Sequence, residues 1–254
     1  MQKAEPKQAR GTAEKVVDIF SSVVDWVFII FFLIILLFAC YAIYDSMKVY
    51  EEVKLPQVVL DHVEKLDDGT RKIDFDSLIA QNSDTSAWIT IDNMDIDYLV
   101  MHHEDNSFYL DHGFDKQYLG SGMLFIDYRN KQDLSEDYII IYGHNMNGDK
   151  MLGPLNKFHE KEFFDSHRTG KLYTPNGNYS LEVIGEKTTD KDDTGIYEIQ
   201  TLKNNLSQVK NYILQSADQK REAGVNDAQK IIVLSTCKGT SGMRQIVYLK
   251  ATKD

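Results

Sequence analysis

Cysteine is nearly absent: Cys40 and Cys237 are the only two in 254 residues, too few to staple a disulfide scaffold. Four prolines and 15 glycines are too few for a collagen-like or low-complexity chain, and 43% hydrophobic residues leave enough apolar surface to bury a core. Positive charge is also short. Lys and Arg number 28 against 39 Asp and Glu, a formal charge of −11, which argues against nucleic acid as a partner. No fixed-period repeat interrupts the chain, so its length fits one or two domains.

One feature is present in excess. Residues 27–43 read VFIIFFLIILLFACYAI, 17 apolar positions without a break, at the short end of what a membrane-crossing helix needs. Lys3, Lys7, Arg10 and Lys15 precede it, whereas only Lys48 and Lys54 follow closely. The positive-inside rule then predicts a single-pass signal anchor in the cell membrane, with a cytoplasmic N-terminus and an extracellular remainder. The expected division is a cytoplasmic segment over 1–22, the anchor over 23–44, an extracellular stalk or helix pair over 45–72 and a folded domain over 73–254. A cleaved signal peptide is the alternative, but the run is long for one and no A-x-A site follows. The sequence Leu37-Phe38-Ala39-Cys40 loosely resembles a lipobox, yet Phe38 fits poorly and Cys40 reads as an ordinary membrane-helix residue. After residue 55 the charge is −10, so the exported part carries the acidity.

Strand-like runs at 88–91, 96–101, 123–126, 138–142, 179–185, 231–234 and 245–251 are separated by turn residues. Helical spacing appears at 75–81, at 155–167 with Pro154 in its first turn, and at 201–217. Seven strands with inserted helices and no regular βαβ alternation predict a mainly β fold with α insertions, as an antiparallel or mixed barrel.

Cys237 ends the apolar run 231–236, where the small-residue loop 238–242 begins. A buried, inert thiol is the ordinary reading of a free cysteine. Here, however, the thiol is exported and its only intrachain partner lies in the membrane segment. Arg244, seven residues on, would return beside it in a hairpin and favour the thiolate. A cysteine nucleophile needs a proton carrier, and His144 closes the run 138–142 through Gly143 in the same strand-end position. His62, His112, His159 and His167 read as surface or hydrogen-bonded histidines. The pair His102–His103 lacks ligand partners at convincing spacing, so no metal is expected.

These residues resemble a known family. Leu234-Ser235-Thr236-Cys237 is similar to the L-x-T-C signature of sortases, and Tyr142-Gly143-His144-Asn145-Met146 to the histidine motif of their class B members. Asn82-Ser83-Asp84, Ala87-Trp88-Ile89, Asp97-Tyr98, Asn106, Tyr109-Leu110 and Phe125-Ile126-Asp127-Tyr128-Arg129-Asn130 follow the order of that class. The resemblance covers residues 75–251. It implies a closed sortase barrel with peripheral helices, and transpeptidation at the outer face of a Gram-positive membrane. Cys237 would attack the threonine carbonyl of a C-terminal sorting motif on a surface protein, and an amine of peptidoglycan or its lipid-linked precursor would resolve the thioacyl enzyme. His144 would move the proton, Arg244 would bind the oxyanion, and no metal or organic cofactor would be needed. Asn106 and Leu110 would form one groove wall, with Tyr142 and Ser235 near the nucleophile. Without the resemblance, Asn106 caps a turn, Leu110 is core and Tyr142 is an inward strand residue. The loop from Cys237 to Arg244 is short for the class, and Gly239 stands where some members carry an acid. A membrane-tethered cysteine peptidase, a catalytically silent binding domain and a pilus-assembling variant using a protein lysine remain the competing readings.

Overall fold

The computed structural model describes residues 11–52, 55–146, 148–238 and 242–254. Contacts divide the chain into two units, Met1–Tyr50 and Glu51–Asp254. The first consists of helix α1 (Thr12–Glu52), whose segment Phe20–Tyr44 is long and apolar enough to cross a bilayer. Its apolar side chains are exposed around the whole circumference, as suits a helix solvated by lipid.

In the second unit, alternate residues of one strand enter different layers, which explains why the strands read as nearly continuous apolar runs. Strand β6 (Tyr138–Tyr142) is the clearest case: Ile139 and Ile141 join one buried cluster, Tyr138 and Ile140 another. Eight strands close a barrel in the order β10 (Gly177–Asp190), β13 (Met243–Lys253), β12 (Ile231–Lys238), β6, β5 (Leu124–Ile126), β4 (Ile96–His102), β3 (Thr85–Ile91) and β9 (Thr169–Thr174), which pairs back onto β10. The pairs β12–β6 and β4–β5 are parallel; the other pairings around the ring are antiparallel. The first buried cluster fills the barrel.

Two outer layers cover it. On one side lie helices α5 (Thr194–Tyr197), α6 (Ile199–Leu202), α7 (Leu206–Ser216) and α8 (Glu222–Asp227), burying Ile199, Val209, Ile213 and Val225 with Ile231, Val233 and Tyr248. On the other, α2 (Gln57–Leu60) and α3 (Phe75–Gln81) bury Val59, Phe75 and Leu78 against Trp88, Leu99 and Phe125. Between those helices runs the hairpin of β1 (Val63–Lys65) and β2 (Arg71–Ile73); elsewhere the short strands β7 (Asn145–Met146) and β8 (Lys150–Met151) pair with each other, and β11 (Gln219–Lys220) pairs with β10. Residues 57–72, expected within the stalk or helix pair, thus belong to the compact unit, and Val59 is fully buried.

The mainly β barrel with helical insertions matches the sequence expectation; three local differences have physical causes. Strand β9 reads TGKLYT, too polar to announce itself, and it pairs because Gly170 lets the Thr90 backbone approach where a Cβ could not fit. The helix expected over 155–167 is a 3-10 segment, Gly153–His159, followed by α4 (Lys161–Ser166), with Glu160 extended between them. The helix expected over 201–217 breaks between α6 and α7, where the Asn205 side chain accepts from Gln208 N and starts a new helix. Helix α3 has the expected bounds, capped by Asp74 through Ser77 N.

Candidate active site

Strand register brings the three sequence-predicted catalytic positions together. In the parallel pair, Ser235 of β12 lies opposite Tyr142 of β6. The pairing continues past the strand end, with Gly143 N donating to Ser235 O at 3.3 Å and Thr236 Oγ1 to Gly143 O at 2.8 Å. His144 and Cys237 each lie two residues beyond the Ser235–Tyr142 pair, His144 just past the end of β6 and Cys237 still within β12. In the antiparallel pair, Cys237 of β12 lies opposite Arg244 of β13, and Arg244 lies opposite Thr189 of β10 on its other side. The barrel rim thus presents the backbone of a histidine, a cysteine and an arginine side by side.

Gly143 makes this close passage possible. A Cβ there would fall well inside van der Waals contact with Leu124 Cδ2 and Leu152 Cγ, both buried in the barrel. His144 is partly buried, and its Nε2 lies 2.6 Å from the carbonyl oxygen of Leu110. A carbonyl only accepts, so Nε2 carries the proton; in neutral imidazole the free lone pair is then on Nδ1. Arg244 is also partly buried. Residues 239–241, including Gly239, lie outside the described residues.

The four expected groove residues divide by role. Leu110 is 39% exposed, at the surface and not in the core, and it gives His144 its carbonyl. Ser235 is buried and its hydroxyl lies 2.9 Å from Tyr197 OH. The Tyr197 ring runs nearly parallel to that of Tyr142, with centroids 6.4 Å apart. Tyr142 OH donates to Asp127 Oδ2 at 2.9 Å, and Asn106 Nδ2 donates to the same oxygen at 2.9 Å.

Sequence reading passed over Asp127, Arg129, Thr236 and Tyr197 as site residues. Asp127 has a fully buried side chain at the end of β5, where Arg129 clamps it through Nε to Oδ1 and Nη2 to Oδ2, both at 2.8 Å. The available signal was the Asp-Tyr-Arg spacing directly after a strand. Burial opposes ionisation of Asp127, yet donors from Arg129 and Asn106 outweigh it and hold the carboxyl below its ordinary range. The Tyr142 phenol is pushed the other way, first by burial and then by the Asp127 charge beside it. Asp105 is held down to about 2 by donors from Ser107 and Phe108, which fix the turn leading into the 3-10 segment Phe108–Leu110.

The remaining histidines have local partners. His62 meets Gln81, His112 and His167 meet backbone carbonyls at 2.9 and 3.1 Å, and His159 meets Asn156 O. His102 bonds Asn130 O, and His103 stacks on Phe108. Among the described residues no group of three or more His, Cys, Asp or Glu is arranged to hold a metal ion.

Comparison with known proteins agrees with this geometry. A family model described as a sortase domain matches residues 89–252. Sortase B of Listeria monocytogenes is 32% identical over 160 residues, covering 61% of this chain and 63% of that protein, so the chain spans less than two thirds of that relative. A crystal structure from Bacillus anthracis, described as similar to sortase B, aligns with a TM-score of 0.63 at 29% identity over 83% of this chain and 97% of the other. A Streptococcus pyogenes class B sortase involved in pilus biogenesis aligns with a TM-score of 0.61 at 31% identity over 70% of this chain and 97% of the other. With a family match over well over half of its residues and the barrel of its solved relatives, this chain belongs to the sortase family, as a class B sortase.

Proposed function

We propose that this protein is a membrane-anchored cysteine transpeptidase, with Cys237 as nucleophile, His144 as proton carrier and Arg244 as oxyanion donor. The observation that carries the reading is the register of two strand pairs, Ser235 opposite Tyr142 and Cys237 opposite Arg244. Cys237 gives its thiol proton to the free Nδ1 of His144, and the resulting thiolate attacks the threonine carbonyl carbon of a sorting motif near the C-terminus of a surface protein. The carbonyl π electrons move to oxygen, where the Arg244 guanidinium donates to the developing charge. As the C–N bond breaks, His144 Nδ1–H gives its proton to the departing amine and a thioester remains. An incoming amine attacks that thioester, loses its proton to His144 and expels the thiolate, so one acyl bond replaces another with no net oxidation.

The acceptor is an amine of peptidoglycan or its lipid-linked precursor. Helix α1 is a single-pass anchor whose N-terminus faces the cytoplasm, with the barrel outside the cell. The proposed division runs over 1–22 as cytoplasmic segment, 23–44 as anchor, 45–72 as the extracellular stalk and N-terminal helices, the latter packed onto the barrel unit, and 73–254 as catalytic domain. Residues Asn106, Leu110, Tyr142 and Ser235 line or support the substrate groove.

Partition of the thioester tests transfer against hydrolysis. Raising the concentration of a short glycine peptide should divert cleaved substrate from carboxylate to amide product at constant total cleavage. Carboxylate as the sole product at every amine concentration would assign the site to a peptidase.

A further inference from the structure

Two hydrogen bonds accepted by one buried carboxylate hold two segments that meet at His144, one bearing its partner carbonyl and one its own backbone. Asp127 Oδ2 accepts from Asn106 Nδ2, Tyr142 OH and Arg129 Nη2, while Oδ1 accepts from Arg129 N and Nε. Five donors and no acceptor surround it, a set that only an ionised carboxylate can satisfy. The first route runs through Asn106, whose Oδ1 also accepts from Tyr128 N at 2.9 Å, so both ends of its amide are held. From Asn106 the chain passes through the turn fixed by Asp105 and reaches Leu110, whose carbonyl receives His144 Nε2. The second route runs through Tyr142, the last residue of β6, two residues before His144 in the chain. One route sets where the imidazole's partner carbonyl lies, and the other sets where the imidazole's own backbone lies.

We propose that Asp127 is a positioning residue for His144, fixing the imidazole as the Nε2–H tautomer with Nδ1 free for proton transfer. It touches neither substrate nor thiol. An amide at position 127 puts an NH2 group in place of one oxygen, so either Asn106, Tyr142 and Arg129 Nη2 together or Arg129 N and Nε lose their acceptor, and the support loosens. The consequence for catalysis rests on His144 being the proton carrier, but the tautomer itself does not, so the two can fail separately.

The test uses the full chain in detergent micelles with 15N-labelled histidine, recording the ring nitrogens of His144 at a pH where the imidazole is neutral, together with kcat on a sorting-motif peptide. The unsubstituted protein should show Nε2 protonated and Nδ1 unprotonated. Asp127→Asn should give mixed tautomers and a kcat lowered about tenfold or more, bounded above by the roughly 10²–10⁴ that acid–base catalysis contributes as a whole. Asn106→Ala leaves the Asp127–Arg129 clamp in place, so it keeps the test open if Asp127→Asn does not fold, and it should move the tautomer in the same direction. The double variant should be no worse than Asp127→Asn alone, because the Asn106 route already passes through Asp127. A His144 tautomer unchanged in Asn106→Ala, or not Nε2–H in the unsubstituted protein, would overturn the proposal even if the melting temperature fell. Mixed tautomers with unchanged kcat would leave the support of the imidazole standing and overturn the role of His144 as proton carrier.

Discussion

At the scale of single residues, the site depends on which side chain carries which atom to the barrel rim. Arg244 is the sharpest case, since a guanidinium offers five donors in a rigid fork and an ammonium offers a compact point charge. Arg244→Lys should lower kcat/KM on the order of 10²-fold or more, the range for loss of an oxyanion donor, while circular dichroism stays unchanged. Activity within threefold of the unsubstituted enzyme would remove Arg244 from that role. The residues proposed to carry the chemistry stand out in the sequence because Cys237 and His144 each follow an apolar run and Arg244 precedes one, a local pattern. Asp127 was not legible as a support, because its partners Asn106 and Tyr142 lie 21 and 15 residues away and meet it only through the fold.

At the scale of elements, the parallel pairing of β6 with β12 aligns positions 93 residues apart, something no run of sequence announces. Gly143 is the point where that alignment is most exposed to substitution. Gly143→Ala inserts a methyl group against Leu124 and Leu152, an overpacking change of about 1–3 kcal/mol, and pushes the segment bearing His144 off the rim. Urea denaturation should register the loss, with turnover falling further than stability alone explains. An alanine variant of full activity and stability would mean the strand end can shift without harm. Barrel strands were readable from their apolar runs, whereas the polar β9 and the breaks at Glu160 and at 203–205 were not. Those three depend on a glycine's close approach, an extended residue and an Asn cap, none of which alters hydrophobic periodicity.

At the scale of the whole molecule, burial of a charged clamp ties stability to pH. The Asp127 carboxyl titrates below its ordinary value of 3.8 in the folded chain, so its stabilisation is complete above that value. It is lost as pH falls through the lower folded value, because the unfolded chain takes up the proton first. Asp127→Asn should therefore be less stable than the unsubstituted protein near neutral pH, by up to about 3 kcal/mol, since Arg129 keeps partial access to water. The gap should narrow below about pH 4. A gap that stays constant down to pH 2 would contradict the ionised clamp. The division into a long apolar helix and a separate folded unit was visible in composition, because an unbroken apolar run is followed by a mixed acidic remainder. The central claim, that Cys237 forms a thioester with a threonine acyl group, is tested most directly by intact-protein mass spectrometry. The protein is incubated without amine acceptor and with peptides carrying proline second and threonine fourth, alongside Cys237→Ala. The account predicts a mass increase equal to the peptide fragment ending in threonine, absent from the alanine variant; equal cleavage by that variant would contradict it.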